Sequence, residues 1–401
     1  MNITVIGGGN IGTQFAVHSS DKGHSVKMFT SNPSRFSKHL FIVDKSDNVI
    51  KEGKIVLATS DPHEALHDAE MIMITMPPTM MIPLAQIINE HADPHAVIGF
   101  VPGNGGFEFA FRDCIERGNV LFGIDRVPAI ARLKERGRTV CCSGYKDRLY
   151  VAALPSSHTE ECAALIESIY DIPCVRLPGF MALTLTPSNP ILHTARLMTI
   201  FSDYEPGVTY ESLPLFYEEW DDASSELLLA CDDEIQDICR ALPWFGLEYV
   251  VSEREFYNAD TVEEMTYAIR TATPSVCSDA LDIKGRGLSG LRKRRKQRWQ
   301  RIEQHIKRRS DWREILEERR NRRREENTEG LIPDLHSRYF TADFPYGLSV
   351  IQQIGKIAGV AMPNIDKLIE WYDNIAIIND KLRLSDYGIT DVESLKEFYL
   401  T

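Results

Sequence analysis

No stretch of the 401-residue chain carries the roughly 18 consecutive apolar residues that a bilayer-spanning helix needs. No basic, apolar, small-residue leader precedes the first strand. A cytoplasmic protein with no membrane partner is expected. The eight cysteines include no C-x-x-C pair and no cysteine–histidine pair at zinc spacing, so reduced thiols and no metal site are expected. Positive charge is also in short supply: 45 lysines and arginines against 58 aspartates and glutamates give a formal net charge of −13. That field argues against general nucleic-acid binding, and an anionic substrate has to be met by particular arginines rather than by the whole surface.

What is present is the composition of an ordinary soluble protein, 43% hydrophobic and 26% charged. The length exceeds that of a single domain, so two are expected. The chain is organised around its first dozen residues. Asn2-Ile3-Thr4-Val5-Ile6 reads as a strand and runs into Gly7-Gly8-Gly9-Asn10-Ile11-Gly12, a G-x-G-x-x-G turn followed by a helical run to Ser20. Strand, glycine turn and helix together form a dinucleotide fingerprint. Gly7 permits a sharp turn, Gly9 a close approach of backbone to pyrophosphate, and Gly12 close packing of helix on strand. The helix N-terminus, with Asn10 and Ile11 in its first turn, then faces the phosphates.

The end of the second strand, Ser25–Phe29, decides which dinucleotide fits. An NAD-selective site offers a carboxylate there to hold the ribose 2′-hydroxyl, whereas an NADP site offers small polar and basic groups. This chain reads Thr30-Ser31-Asn32-Pro33-Ser34-Arg35, with Lys38 close behind and no carboxylate before Asp44. NADP(H) is therefore expected, with NAD(H) as the alternative in which Arg35 is only a solvated helix residue.

Strands at Leu40–Val43, Lys54–Thr59, Glu70–Thr75, Val97–Val101, Val120–Phe122, Thr139–Ser143, Leu149–Ala153 and Cys174–Leu177 alternate with helices at Asp61–Asp68, Met80–Glu90, Glu108–Arg117 and His158–Tyr170. The pattern predicts an α/β domain over residues 1–177, a Rossmann-type doubly wound, mostly parallel sheet. Met76-Pro77-Pro78 stops one strand where such sheets bind ligands, at the carboxyl ends, which makes Pro77 a cofactor-side residue. Arg126 follows another strand and either faces the cleft to meet a carboxylate or phosphate, or is a surface arginine.

From residue 178 to 401 the periodicity becomes that of a mostly α-helical second domain. In Ser188-Asn189-Pro190-Ile191-Leu192-His193, Asn189 suits a helix cap and Pro190 the first helical position. By periodicity alone His193, one turn in, is a packing residue. Asp232, Asp233, Glu234 and Asp237 lie on a predicted helix at Ser224–Leu242 and read as a solvated face rather than as metal ligands. Residues 285–327 form a strongly basic segment, expected to be helical and to pair with acidic faces of its own chain or of a second copy in a homodimer. Near the C-terminus, Asp343 reads as the cap of a helix at Leu348–Gly359 and Arg338 as a surface charge.

Taken together, the glycine loop, Met76-Pro77, Pro102-Gly103, Asn189-Pro190-x-x-His193, Phe216-Tyr217-Glu218-Glu219, and Arg338-Tyr339 with Asp343 five residues after the arginine resemble the opine dehydrogenases of the octopine and nopaline type over nearly the whole chain. Enzymes of that family join an α-keto acid to the amine of an amino acid and reduce the imine with NAD(P)H. The resemblance implies that His193 is the catalytic proton-transfer group and Asp343 its orienting partner. It further implies that Arg338 clamps a substrate carboxylate, a bidentate role that lysine fills poorly, with Asn189 and Arg126 on the substrate side.

Three departures stand out: Thr194 where many members have proline, Asp125-Arg126 where others have a Glu-Thr pair that meets substrate, and the basic segment. The expectation is an NADP-preferring opine-type dehydrogenase acting on an α-keto acid and an amino acid. A 2-keto or 3-hydroxy acid reductase on the same plan is the alternative enzyme, and a non-catalytic dinucleotide sensor with a basic arm the alternative outside enzymes.

Overall fold

The computed structural model describes residues 1–243, 246–271, 331–376 and 380–400. The basic segment 285–327 and the helices expected in it lie outside the described residues, as does Cys277.

Eleven strands among the described residues form one sheet: β1 (Asn2–Ile6), β2 (Ser25–Phe29), β3 (His39–Val43), β4 (Val49–Thr59), β5 (Met71–Ile74), β6 (Val97–Phe100), β7 (Val120–Ile124), β8 (Ile130–Glu135), β9 (Thr139–Ser143), β10 (Leu149–Leu154) and β11 (Cys174–Arg176). The spatial order is β11-β10-β7-β6-β5-β1-β2-β4-β3-β9-β8. Within it β4-β2-β1-β5-β6-β7 is parallel throughout. The order reverses between β1 and β5, and a doubly wound sheet opens its ligand crevice at that point, beyond the carboxyl ends. β5, Met71-Ile72-Met73-Ile74, is buried at every position because helices cover both of its faces.

One face of the sheet packs on the helices Asn10–Asp21 and Thr159–Tyr170, with Phe15, Val17 and Ile166 against Val5, Met73 and Val151. The other packs on Met81–His91 and on the helical domain. In that domain the helix Asn189–Ile200 lies between Asp222–Ala241 and the wide-turned helix Tyr339–Leu348. The last helix, Val392–Leu400, returns to the first domain, where Phe398 stacks on Phe109 and the Tyr399 hydroxyl donates to Glu108 at 2.7 Å.

Several local expectations are corrected. β8 is not among the expected strands, because Ile130-Ala131-Arg132-Leu133-Lys134-Glu135 carries three charges in six residues; it is an edge strand of the sheet and pairs with β9 alone. The predicted helix Glu108–Arg117 is two, Phe107–Ala110 and Arg112–Arg117, parted at Phe111. Asn189 is not a cap: the helix begins at Asn189, Ser188 takes the cap position, and no side-chain hydrogen bond closes the end.

Nor do Asp232 and Glu234 face solvent. Both are buried. The Asp232 carboxylate accepts the Glu253 backbone N–H at 2.9 Å, and Glu234 accepts the N–H groups of Asn364 and Ile365 at 2.7 and 2.9 Å at the start of another helix. These acids satisfy donors that helix starts leave over, a use set by tertiary packing that periodicity cannot show.

Asp343 does not cap a helix at Leu348. The helical path begins at Tyr339 and runs in wide π turns to Leu348 before tightening over Ser349–Ile357. Pro345 lies inside those turns, where the missing N–H and the ring disfavour an ordinary α turn. Asp343 is thus held within the helix, beside the Asn189–Ile200 helix.

Candidate active site

β1 delivers the chain to Gly7, whose φ of +104° excludes most side chains and whose N–H donates to the Phe29 carbonyl at 3.2 Å. A Cβ on Gly12 would lie 1.8 Å from the Gly7 carbonyl oxygen, so only glycine lets the helix start this close to the loop. At Gly9 the space a Cβ would enter is open, and Gly9 caps a twelve-residue helix with no acid in its first turn. Open backbone and a free helix N-terminus make a cradle suited to a pyrophosphate.

Ile11 packs partly buried beneath that turn. The Asn10 side-chain oxygen Oδ1 accepts the Leu133 N–H at 2.8 Å, which commits this side chain to β8 and leaves its backbone for a cofactor. Thr75, which carried no role in the sequence, steadies the loop: its hydroxyl lies 3.0 and 3.1 Å from the Ile6 and Gly7 carbonyls. Pro77 is exposed and precedes a 3₁₀ turn over Pro78–Met80 at the same carboxyl edge.

Beyond β2, Thr30 is tied to β4 through its N–H on the Thr59 carbonyl at 2.9 Å. Ser31 and Arg35 are exposed, and among the described residues Arg35 forms no ion pair. The β8–β9 turn lies against this segment, with the Ser37 N–H on the Gly137 carbonyl at 2.9 Å. The fold thereby adds exposed Arg136 and Arg138 to the neighbourhood of Arg35, a proximity that sequence separation conceals.

His193 is 1% exposed, as a packing residue would be, yet both ring nitrogens have polar partners. Nδ1 lies 2.7 Å from an Asp343 carboxylate oxygen and Nε2 2.8 Å from the Tyr217 hydroxyl. An ionised carboxylate only accepts, so Nδ1 carries the hydrogen, and in the neutral ring Nε2 accepts from the phenol. Tyr339 lies across the ring at 4.3 Å between centroids, and Phe216 meets it edge-on at 5.7 Å.

Arg338 stands exposed at the start of the helix that carries Asp343, its guanidinium 5.5 Å from the Tyr339 ring centre. It contributes positive potential at the Tyr217 hydroxyl, whose pKa burial pushes well above the ordinary phenol value. Sequence reasoning gave Tyr217 no role beyond its place in Phe216-Tyr217-Glu218-Glu219.

Asn189 and Arg126 sit at the start of the histidine helix, one turn before His193. Arg126 donates to the Ser188 hydroxyl at 3.1 Å and lies over the Phe256 ring at 3.7 Å. It is half-buried and lines a small cavity with Asp125, Tyr150, Thr186 and Tyr249. Burial raises the pKa of Asp125, and that of nearby Glu253 to about 8, each opposed by the positive charge of Arg126. The structure thus unites His193, Asp343, Tyr217 and Arg338, and leaves Arg126 and Asn189 as a second group at the helix start.

The family description "NAD/NADP octopine/nopaline dehydrogenase, alpha-helical domain" matches residues 176–376, half of the chain. The chain belongs to the octopine/nopaline dehydrogenase family. It is an NAD(P)-dependent oxidoreductase of the class acting on CH–NH bonds. Residues 2–103 match the N-terminal domain of NAD-dependent glycerol-3-phosphate dehydrogenase, the same glycine-loop sheet.

Octopine dehydrogenase of Pecten maximus is 25% identical over 398 residues, covering 92% of this chain and 89% of its own. A solved octopine dehydrogenase with NADH and L-arginine superposes with a TM-score of 0.73 at 21% identity, covering 98% of this chain and 97% of that one. Yersinopine dehydrogenase with NADP+ bound gives a TM-score of 0.59 at 12% identity, covering 93% of this chain and 90% of its own. Among the described residues no helix is long and apolar enough to cross a membrane, and no cluster of histidine, cysteine and acidic residues could hold a metal.

Proposed function

We propose that the chain is an NADP-preferring opine-type dehydrogenase, condensing an α-keto acid with the amine of an amino acid and reducing the imine, with oxidation of the product in reverse. The observation that carries this reading is the 2.7 Å contact between His193 and Asp343, two residues 150 apart in sequence, beside Arg338. His193 serves as acid and base while the carbonyl oxygen is lost as water and the nitrogen changes its protonation. Asp343 fixes the tautomer and supports the imidazolium. Arg338 takes the keto-acid carboxylate, and Asn189 and Arg126 meet the amino-acid partner.

The cradle of Gly7, Gly9, Asn10, Ile11 and Gly12, edged by Pro77, holds the dinucleotide, which when bound supplies or accepts the hydride. Thr30, Ser31 and Arg35 hold the 2′-phosphate of NADP(H). The octopine and yersinopine enzymes with NADH and NADP+ bound indicate that related folds take either cofactor, so this preference rests on the basic, carboxylate-free end of β2. A cytoplasmic setting is part of this reading.

The test is NADPH consumption with pyruvate and mixed amino acids. Turnover that requires both substrates is expected. Equal turnover with pyruvate alone would replace this reading with that of a hydroxy-acid-forming reductase.

A further inference from the structure

Asp343 occupies one nitrogen of His193, and Tyr217 occupies the other. Because the imidazole is 1% exposed while Tyr217 is 38% exposed, the phenol is the part of this pair that reaches the open side of the site. Its placement is enforced. Arg196, three residues beyond His193 on the same helix and fully buried, gives three of its five guanidinium hydrogen bonds to carbonyls of the segment that carries Tyr217 and the other two to the start of the helix that follows it. Nε donates to the Phe216 carbonyl at 3.1 Å, and Nη2 to the Leu215 and Glu219 carbonyls at 3.3 and 2.6 Å. Nη1 donates to the Asp221 carboxylate at 2.8 Å and the Ser224 hydroxyl at 3.1 Å. The Phe216 ring stacks on Tyr339 at 5.2 Å, closing the other side. One helix therefore carries both the imidazole and the clamp that aims a phenol at it.

We infer that Tyr217 is the proton relay between His193 and the substrate, and that Arg196 is the positioning residue that holds the relay in line. The inference rests on the reading of His193 as the proton-transfer group. In the dehydration step the Tyr217 O–H proton passes to the hydroxyl of the carbinolamine, and the Nε2–H of the imidazolium restores the phenol. The C–O bond breaks, its electron pair leaving with water, and the nitrogen lone pair of the former amine forms the C=N bond. Tyr217 is neutral before and after, His193 ends neutral, and no oxidant or reductant is consumed. An ordinary phenol is protonated at neutral pH, and partial burial of this hydroxyl against His193 raises its pKa further, as a relay requires.

The experiment compares the full-length wild-type chain, Y217F and H193A with pyruvate, mixed amino acids and NADPH. Y217F should lower kcat by about 10²-fold or more, since acid–base assistance accounts for rate factors of that order. It should leave NADPH affinity, read by fluorescence, unchanged. Fluorotyrosines at 217 keep the shape but make the phenol more acidic, and kcat should vary in step with that acidity, which a structural role would not produce. Wild-type kcat in Y217F, or a flat fluorotyrosine series, would show that the phenol merely fills space that substrate takes, and would overturn the relay alone. A wild-type enzyme with no turnover dependent on both substrates would overturn the parent reading and the relay with it.

Discussion

Removing His193 and Asp343 singly and together probes whether they act as one unit. The carboxylate meets Nδ1 at 2.7 Å, with the two side chains only 2% and 17% exposed, a geometry in which a charge-assisted hydrogen bond contributes roughly 1.5 to 3 kcal/mol. Asp343→Asn removes that charge and should slow turnover about tenfold to a hundredfold, one decade per 1.36 kcal/mol. His193→Ala removes the proton-transfer group itself and should cost about 10² to 10⁴ in rate. In the double variant an orienting side chain has nothing left to orient, so its loss should match that of His193→Ala within about twofold. The assay is steady-state turnover of all four proteins, with NADPH titration as the control for folding, because neither residue belongs to the glycine cradle. Losses that multiply, or near-normal turnover in His193→Ala, would show that the histidine is a packed core residue and that the contact with Asp343 is structural.

Arg35→Ala should weaken NADPH by about tenfold to a hundredfold, the loss of one charge-assisted contact, and leave NADH unchanged; parallel loss of both in titrations would refute the assignment. Arg338→Lys should raise the keto-acid KM more than it lowers kcat, since an ammonium keeps attraction but not the bidentate geometry; a pure kcat defect would contradict the clamp. Glu108 is fully buried, accepts the hydroxyls of Thr184 and Tyr399, and has its pKa raised by burial from 4.5 to about 7. The folded chain keeps that proton between about pH 4.5 and 7 while the unfolded chain releases it, so the stability tied to the protonated acid is complete below pH 4.5 and lost as pH rises through 7. Glu108→Gln should therefore gain stability relative to wild type by up to about 3 kcal/mol between pH 5 and pH 8 in denaturant titrations, whereas a constant difference would contradict the burial account.

The glycine turn, the parallel strands and the helical second half were legible because each is written locally, in a strand-to-glycine junction, in buried apolar runs and in helical periodicity. The basic, carboxylate-free end of β2 was legible for the same reason. What sequence missed depends on distant chain. Asp343 looked like an ordinary cap because a π path through Pro345 has no sequence pattern as plain as an α-helical one. Asp232 and Glu234 looked solvated because the helix starts that they satisfy lie 21 and 130 or more residues away. Arg196 and Tyr217 could be connected only once the segment between helices had been seen to fold back on the histidine helix. The local signal for Arg196 was an arginine three residues after His193, on the same face, where an apolar packing residue would be usual.

Whether a carbon–nitrogen bond is made and then reduced is open to direct measurement. It is tested most directly by running the reaction with pyruvate, mixed amino acids and NADPH deuterated at the transferable position, and locating the deuterium by mass spectrometry. The expected product is a secondary amine containing both substrates, with the deuterium on the former keto carbon that now bears nitrogen. Deuterium found instead in a hydroxy acid, with every amino acid recovered unchanged, would contradict that expectation.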